Sequence, residues 1–72
     1  MTQKSSPLRI FRVQNRVKLI ELAQLSGIHY SVLSLIENGW RPLKKVEAES
    51  LIRGYDKINV EATKAILPLA VA

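Results

Sequence analysis

Residues 19–39 read LIELAQLSGIHYSVLSLIENG, and their spacing decides how the chain folds. Leu19, Leu22 and Ala23 fall at i, i+3 and i+4, one face of a helix over residues 19–26. Lys18 is a poor residue to open it. Gly27 stops it, supplying the positive φ of a sharp turn. A second helix is expected over Tyr30–Glu37, with Leu33 and Ile36 inward and Asn38-Gly39 as its end. Tyr30, Ser31, Ser34, Leu35 and Asn38 then fall on other faces of the same segment.

Ser6-Pro7 reads as an N-cap followed by proline at the first helical position, opening a helix to about Gln14. Leu8 and Phe11 share one face of it, and Ile10 and Val13 form a second stripe. Trp40-Arg41-Pro42 is a connector. A fourth helix is expected over Lys45–Tyr55, although Gly54 weakens it by about 1 kcal/mol relative to Ala. Asn59 is read as the cap of a fifth helix over residues 60–67, closed by Pro68. No alternating strand pattern, repeat or low-complexity stretch interrupts this all-α reading. The expected organisation is a flexible tail over 1–5, one domain over 6–68 and a C-terminal tail over 69–72. That last region is nonetheless apolar. Ile58, Ile66, Leu67, Leu69 and Val71 either complete the core against Ile10 and Val13 or form a symmetric dimer contact.

Seventy-two residues, 47% of them hydrophobic, suffice for one small core and argue against disorder. The chain has no cysteine and one histidine, so no disulfide framework and no zinc site can be assembled. No cofactor or metal is expected, nor a catalytic role: no carboxylate pair, nucleophile–base set or phosphate-binding glycine loop is present. No apolar run approaches the roughly 18–20 residues of a membrane span, and the N-terminus has no signal-like apolar region. A cytoplasmic location is expected. The net charge is +5, and residues 1–18 hold Lys4, Arg9, Arg12, Arg16 and Lys18 without an acid. Arg41, Lys44 and Lys45 form a second basic group. Such clusters suit a polyanion, because each neutralised phosphate releases counterions; simple solubility is the alternative reading.

The order Ala23, Gly27, Leu33, Ile36 has a physical logic. A small residue lets the next helix cross closely, a glycine makes the turn, and two apolar residues pin the helix that follows. This is the helix-turn-helix pattern, whose second helix projects its outer face into a major groove. Taken with Leu22-Ala23, Gly27-Ile28, Ser31, Ser34 and Ile36-Glu37-Asn38-Gly39, the chain resembles the Cro-like and lambda-repressor-like regulators of the XRE family. The resemblance runs from about Leu8 to about Leu67.

It implies a five-helix domain with helix-turn-helix at helices 2 and 3, acting as a sequence-specific transcriptional regulator on double-stranded DNA. The implied setting is a bacterium, phage or mobile element, and the implied assembly a homodimer. Base reading maps onto Tyr30, Ser31, Ser34 and Leu35 in helix 3 and Leu19 in helix 2. Phosphate contacts map onto Lys18, Asn38, Trp40, Arg41, Lys44 and Lys45. Arg12 and Glu37 occupy positions where the family commonly places a structural ion pair. His29 stands where a Ser or Thr cap is usual. Trp40 is expected as a partly buried anchor at the core edge. The departure from the family is chemical: no Arg, Asn or Gln stands at the base-reading positions. Leu19 and Leu35 could contact only a thymine methyl. The alternative is a protein-interaction module on the same fold, an anti-repressor or accessory subunit with Leu19, Tyr30 and Leu35 in place of base readers.

Overall fold

Ser6 opens the first helix: its side-chain oxygen accepts a hydrogen bond from the Arg9 amide at 3.2 Å, and Pro7 takes the first helical position. The computed structural model describes residues 6–71, so the tail expected over 1–5 and the last residue lie outside the described residues. The helices are α1 (Pro7–Gln14), α2 (Leu19–Ser26), α3 (Tyr30–Glu37), α4 (Lys45–Asp56) and α5 (Thr63–Ile66), followed by a 3-10 turn, Leu67–Leu69. Among the described residues the only extended pairing is one parallel bridge between Lys44 and Val71. The fold is all-α. No single helix is long and apolar enough to cross a membrane.

Two of these helices start on lysine, a residue that cannot accept a hydrogen bond from the first turn. The third helical residue compensates in each case. Glu21 Oε1 accepts from the Lys18 amide at 3.3 Å, and Glu47 Oε1 accepts from the Lys44 amide at 3.1 Å. The carboxylate also faces the positive end of the helix dipole. The same Lys-x-x-Glu device opens α2 and α4.

The helix ends follow a second rule. Left-handed residues sit just beyond α1, α2, α3 and α4: Arg16 (φ 57), Gly27 (φ 76), Gly39 (φ 79) and Asn59 (φ 61). At three of them the next amide reaches back to a carbonyl five residues earlier: Val17 to Arg12, Trp40 to Leu35 and Val60 to Tyr55. These are Schellman closures. Asn59 therefore ends α4 and does not cap α5, since asparagine tolerates the left-handed region. The fifth helix correspondingly begins at Thr63, later than expected, with Glu61 Oε1 accepting from the Thr63 amide at 2.7 Å. Pro68 lies inside the 3-10 turn that continues α5.

The core draws on every helix, with Leu22, Leu33, Leu51, Tyr55 and Ile66 among its most buried members. Helix α2 packs most extensively against α4. Gly54 permits that approach: a Cβ there would lie 3.1 Å from the Ser26 nitrogen and 3.2 Å from the Leu25 carbonyl carbon. Lys57 Nζ donates to the Leu25 carbonyl at 3.0 Å, closing the same corner. The C-terminal segment joins the core through buried Ala62 and Ile66 and through Leu69 and Ala70 packed at its edge. Val71 donates its amide to the Leu43 carbonyl at 2.8 Å. The core partners expected for this segment on α1 are a different matter: Ile10 and Val13 are exposed, because Leu8 and Phe11 form the inward face.

Candidate functional site

The turn between α2 and α3 sets the geometry. The Gly27 amide donates to the Ala23 carbonyl at 2.9 Å, ending α2, and His29 Nδ1 accepts from the Ser31 amide at 3.2 Å, starting α3. Histidine thus serves as the cap. Across these three residues the helix direction changes by 116°. Leu33 and Ile36 are buried beneath α3, so its opposite side faces outward.

The far end of α3 is stapled to α1. Arg12 Nε donates to Glu37 Oε2 at 2.7 Å and Nη2 to Oε1 at 3.0 Å, a bidentate pair. Nη1 donates to the Val17 carbonyl at 2.9 Å, using the remaining face of the guanidinium. The side chains are only 13% and 7% exposed. The hydrogen bond to Glu37 raises the Arg12 pKa against the opposing cost of burial. Tyr55 lies in the same region, its ring edge-on to Phe11 at 5.1 Å. Burial pushes its phenol well above the ordinary value, and the charge of Glu37 adds to the shift.

On the outer face, Tyr30 is 52% exposed and Leu35 46%. Tyr30 is therefore not a core aromatic. Trp40 is 80% exposed, which corrects its expected role as a partly buried anchor. The Schellman closure at Gly39 lifts it off α3 instead of folding it under. The polar groups of this face are engaged locally. Ser31 Oγ lies 2.7 Å from His29 Nδ1, and Ser34 Oγ accepts from Asn38 Nδ2 at 3.3 Å.

In α2, Leu19 packs against the core together with Leu22 and Ala23. Its neighbour Ile20 is the outward residue, 60% exposed, and lines a shallow notch with Gln24, His29 and Tyr30. No motif signalled Ile20; the i, i+3, i+4 stripe that buries Leu19 places the next residue outside.

The basic residues divide into two kinds. Arg41 Nη2 pairs with Glu47 Oε2 at 2.8 Å, so its charge is partly matched within the molecule. Lys18, Lys44 and Lys45 are exposed and form no salt bridge among the described residues. Among those residues, no group of three His, Cys, Asp or Glu side chains could hold a metal ion.

The sequence matches no protein-family model, and no curated protein or solved structure is significantly similar to it.

Proposed function

We propose that this is a helix-turn-helix domain of the Cro-like and lambda-repressor-like type that binds duplex DNA through α3 and regulates transcription. The observation that carries the reading is the 116° turn between α2 and α3, with the outer face of α3 left uncovered. Helix-turn-helix pairs cross at roughly 90–120° through a short glycine-containing turn. Lys18 precedes α2 and Lys44 and Lys45 follow α3 in the chain, all exposed and without a salt bridge among the described residues. Phosphate contacts of this kind position a protein on DNA, while the helix between them meets base edges. The regulator acts in this reading as a homodimer on a two-fold site, in the cytoplasm of a bacterium or as the product of a phage or mobile element.

The test is titration of a mixed-sequence duplex at several salt concentrations. Log affinity should fall linearly with log salt, with a slope of about −0.9 for each phosphate neutralised. Binding that is absent, or indifferent to salt, would remove the reading.

A second reading rests on a different observation: Tyr30 and Leu35 on the uncovered face, with Trp40 in the loop beyond it, expose more apolar surface than a polar groove reader requires. Such a patch suits a protein partner, as in an anti-repressor or an accessory subunit. Association with a protein that survives nuclease treatment and high salt favours this alternative.

A further inference from the structure

We infer that the outer face of α3 recognises the C5 methyl group that pyrimidines display in the major groove, with Leu35 as the contacting residue. The inference rests on the DNA-binding reading above and names what that face would select. Both serine hydroxyls there already have a contact within the chain. The Ser31 hydroxyl meets His29 Nδ1, and Asn38 donates to the Ser34 hydroxyl. Residues 30, 31, 34 and 35 include no arginine, asparagine or glutamine, so these four positions offer none of the paired hydrogen bonds that single out guanine or adenine. The large side chains exposed on and beside this face are apolar: Leu35, the ring of Tyr30 and, from α2, Ile20.

An apolar face usually implies an apolar partner. The charge of the chain points elsewhere: Lys18, Lys44 and Lys45 stand exposed and unpaired among the described residues, complementary to a polyanion. The major-groove edge of DNA has one apolar group, the methyl on C5 of thymine. Cytosine methylated at C5 presents the same group from the same ring position. Burying one methyl against leucine is worth about a fourfold change in affinity.

The experiment measures binding of the whole chain to four duplexes of about two helical turns. The first two alternate dA with dT or with deoxyuridine, which differ only in the methyl. The others alternate dG with dC or with 5-methyl-dC. Wild type should prefer the dT duplex to its deoxyuridine counterpart by about fourfold per methyl contacted. A matching gain on 5-methyl-dC assigns recognition to the methyl itself, and a gain on dT alone assigns it to thymine. Leu35→Ala should lose the preference yet keep the salt dependence, and Leu35→Met should retain most of it. A melt alongside verifies that both variants fold. Equal, salt-sensitive binding to the dT and deoxyuridine duplexes overturns methyl recognition and leaves the DNA-binding reading standing. No salt-sensitive binding to any duplex overturns both.

Discussion

Arg12 grips Glu37 with two hydrogen bonds, of 2.7 and 3.0 Å, and spends its third nitrogen on the Val17 carbonyl. One side chain thereby ties α1, the loop after it and the last turn of α3. The pair fixes where α3 ends, and so where its outer face and the lysines beyond it stand. Both groups are nearly buried, so removing one leaves the other charged without a partner. Glu37→Ala should lower stability by roughly 3 kcal/mol, near the low end of the range for broken buried pairs. Arg12→Met combined with Glu37→Leu should recover much of that loss. A melt of Glu37→Ala that superimposes on wild type refutes the staple.

Gly54 reverses an ordinary expectation. Alanine is the better helix former by about 1 kcal/mol, so Gly54→Ala would stabilise a helix standing alone. Here the added Cβ meets the backbone of Leu25 and Ser26 at 3.1–3.2 Å, and backbone cannot step aside cheaply. Gly54→Ala should therefore destabilise, by about 1–3 kcal/mol. A raised midpoint in denaturant would show that α2 and α4 do not need this close approach.

Arg16 and Asn59 hold left-handed backbone without being glycine. Replacing Arg16 by glycine should stabilise the fold by about 0.5–1 kcal/mol, as relief of the strained φ exceeds the added entropy of the unfolded chain. Gly39→Ala, at φ 79, should cost about 1–2 kcal/mol by the same steric argument. Chemical denaturation of the two variants checks both signs.

The lysines and Arg41 should separate in a salt titration. Lys44→Ala and Lys45→Ala should each weaken DNA binding irrespective of sequence and flatten the salt slope by up to about 0.9. Arg41→Ala should flatten it less, because Glu47 already matches that charge at 2.8 Å. Identical effects from all three would mean the Arg41–Glu47 pair opens on binding.

Tyr55 makes stability depend on pH at the alkaline end. Its phenol is raised above the ordinary value by burial and by the nearby Glu37. Above about pH 10 the unfolded phenol loses its proton while the folded one keeps it. The unfolded state then binds fewer protons, so stability falls as pH rises. Below that pH the contribution is fully present. Tyr55→Phe should reduce this alkaline loss, measured as the difference between wild type and variant across pH 9–11.

Most of the helix positions were legible in the sequence because local signals agreed. Ser6-Pro7 opened α1, and Gly27 and Gly39 closed α2 and α3. The failures came where one residue type serves two roles. Asn59 is as good a left-handed closer as a cap, and only the Val60–Tyr55 hydrogen bond distinguishes them. Arg16 carries no signal for positive φ, so the left-handed closure after α1 is not legible, although the end of the helix near Gln14 is. Trp40 is expected as a partly buried anchor at the core edge, yet beyond the backbone closure at Gly39 it stands in solvent. The Arg41–Glu47 pair depends on how the loop meets α4, which no spacing rule encodes. The placement of Leu19 was within reach, since the stripe that defines α2 already set it beside Leu22 and Ala23.

Selection of bound sequences from a random duplex pool at physiological salt tests the central claim most directly. The account predicts an enriched two-fold site rich in thymine at the positions facing α3, with enrichment weakened in Leu35→Ala. A pool that emerges unselected, from a protein whose binding does not respond to salt, would contradict it.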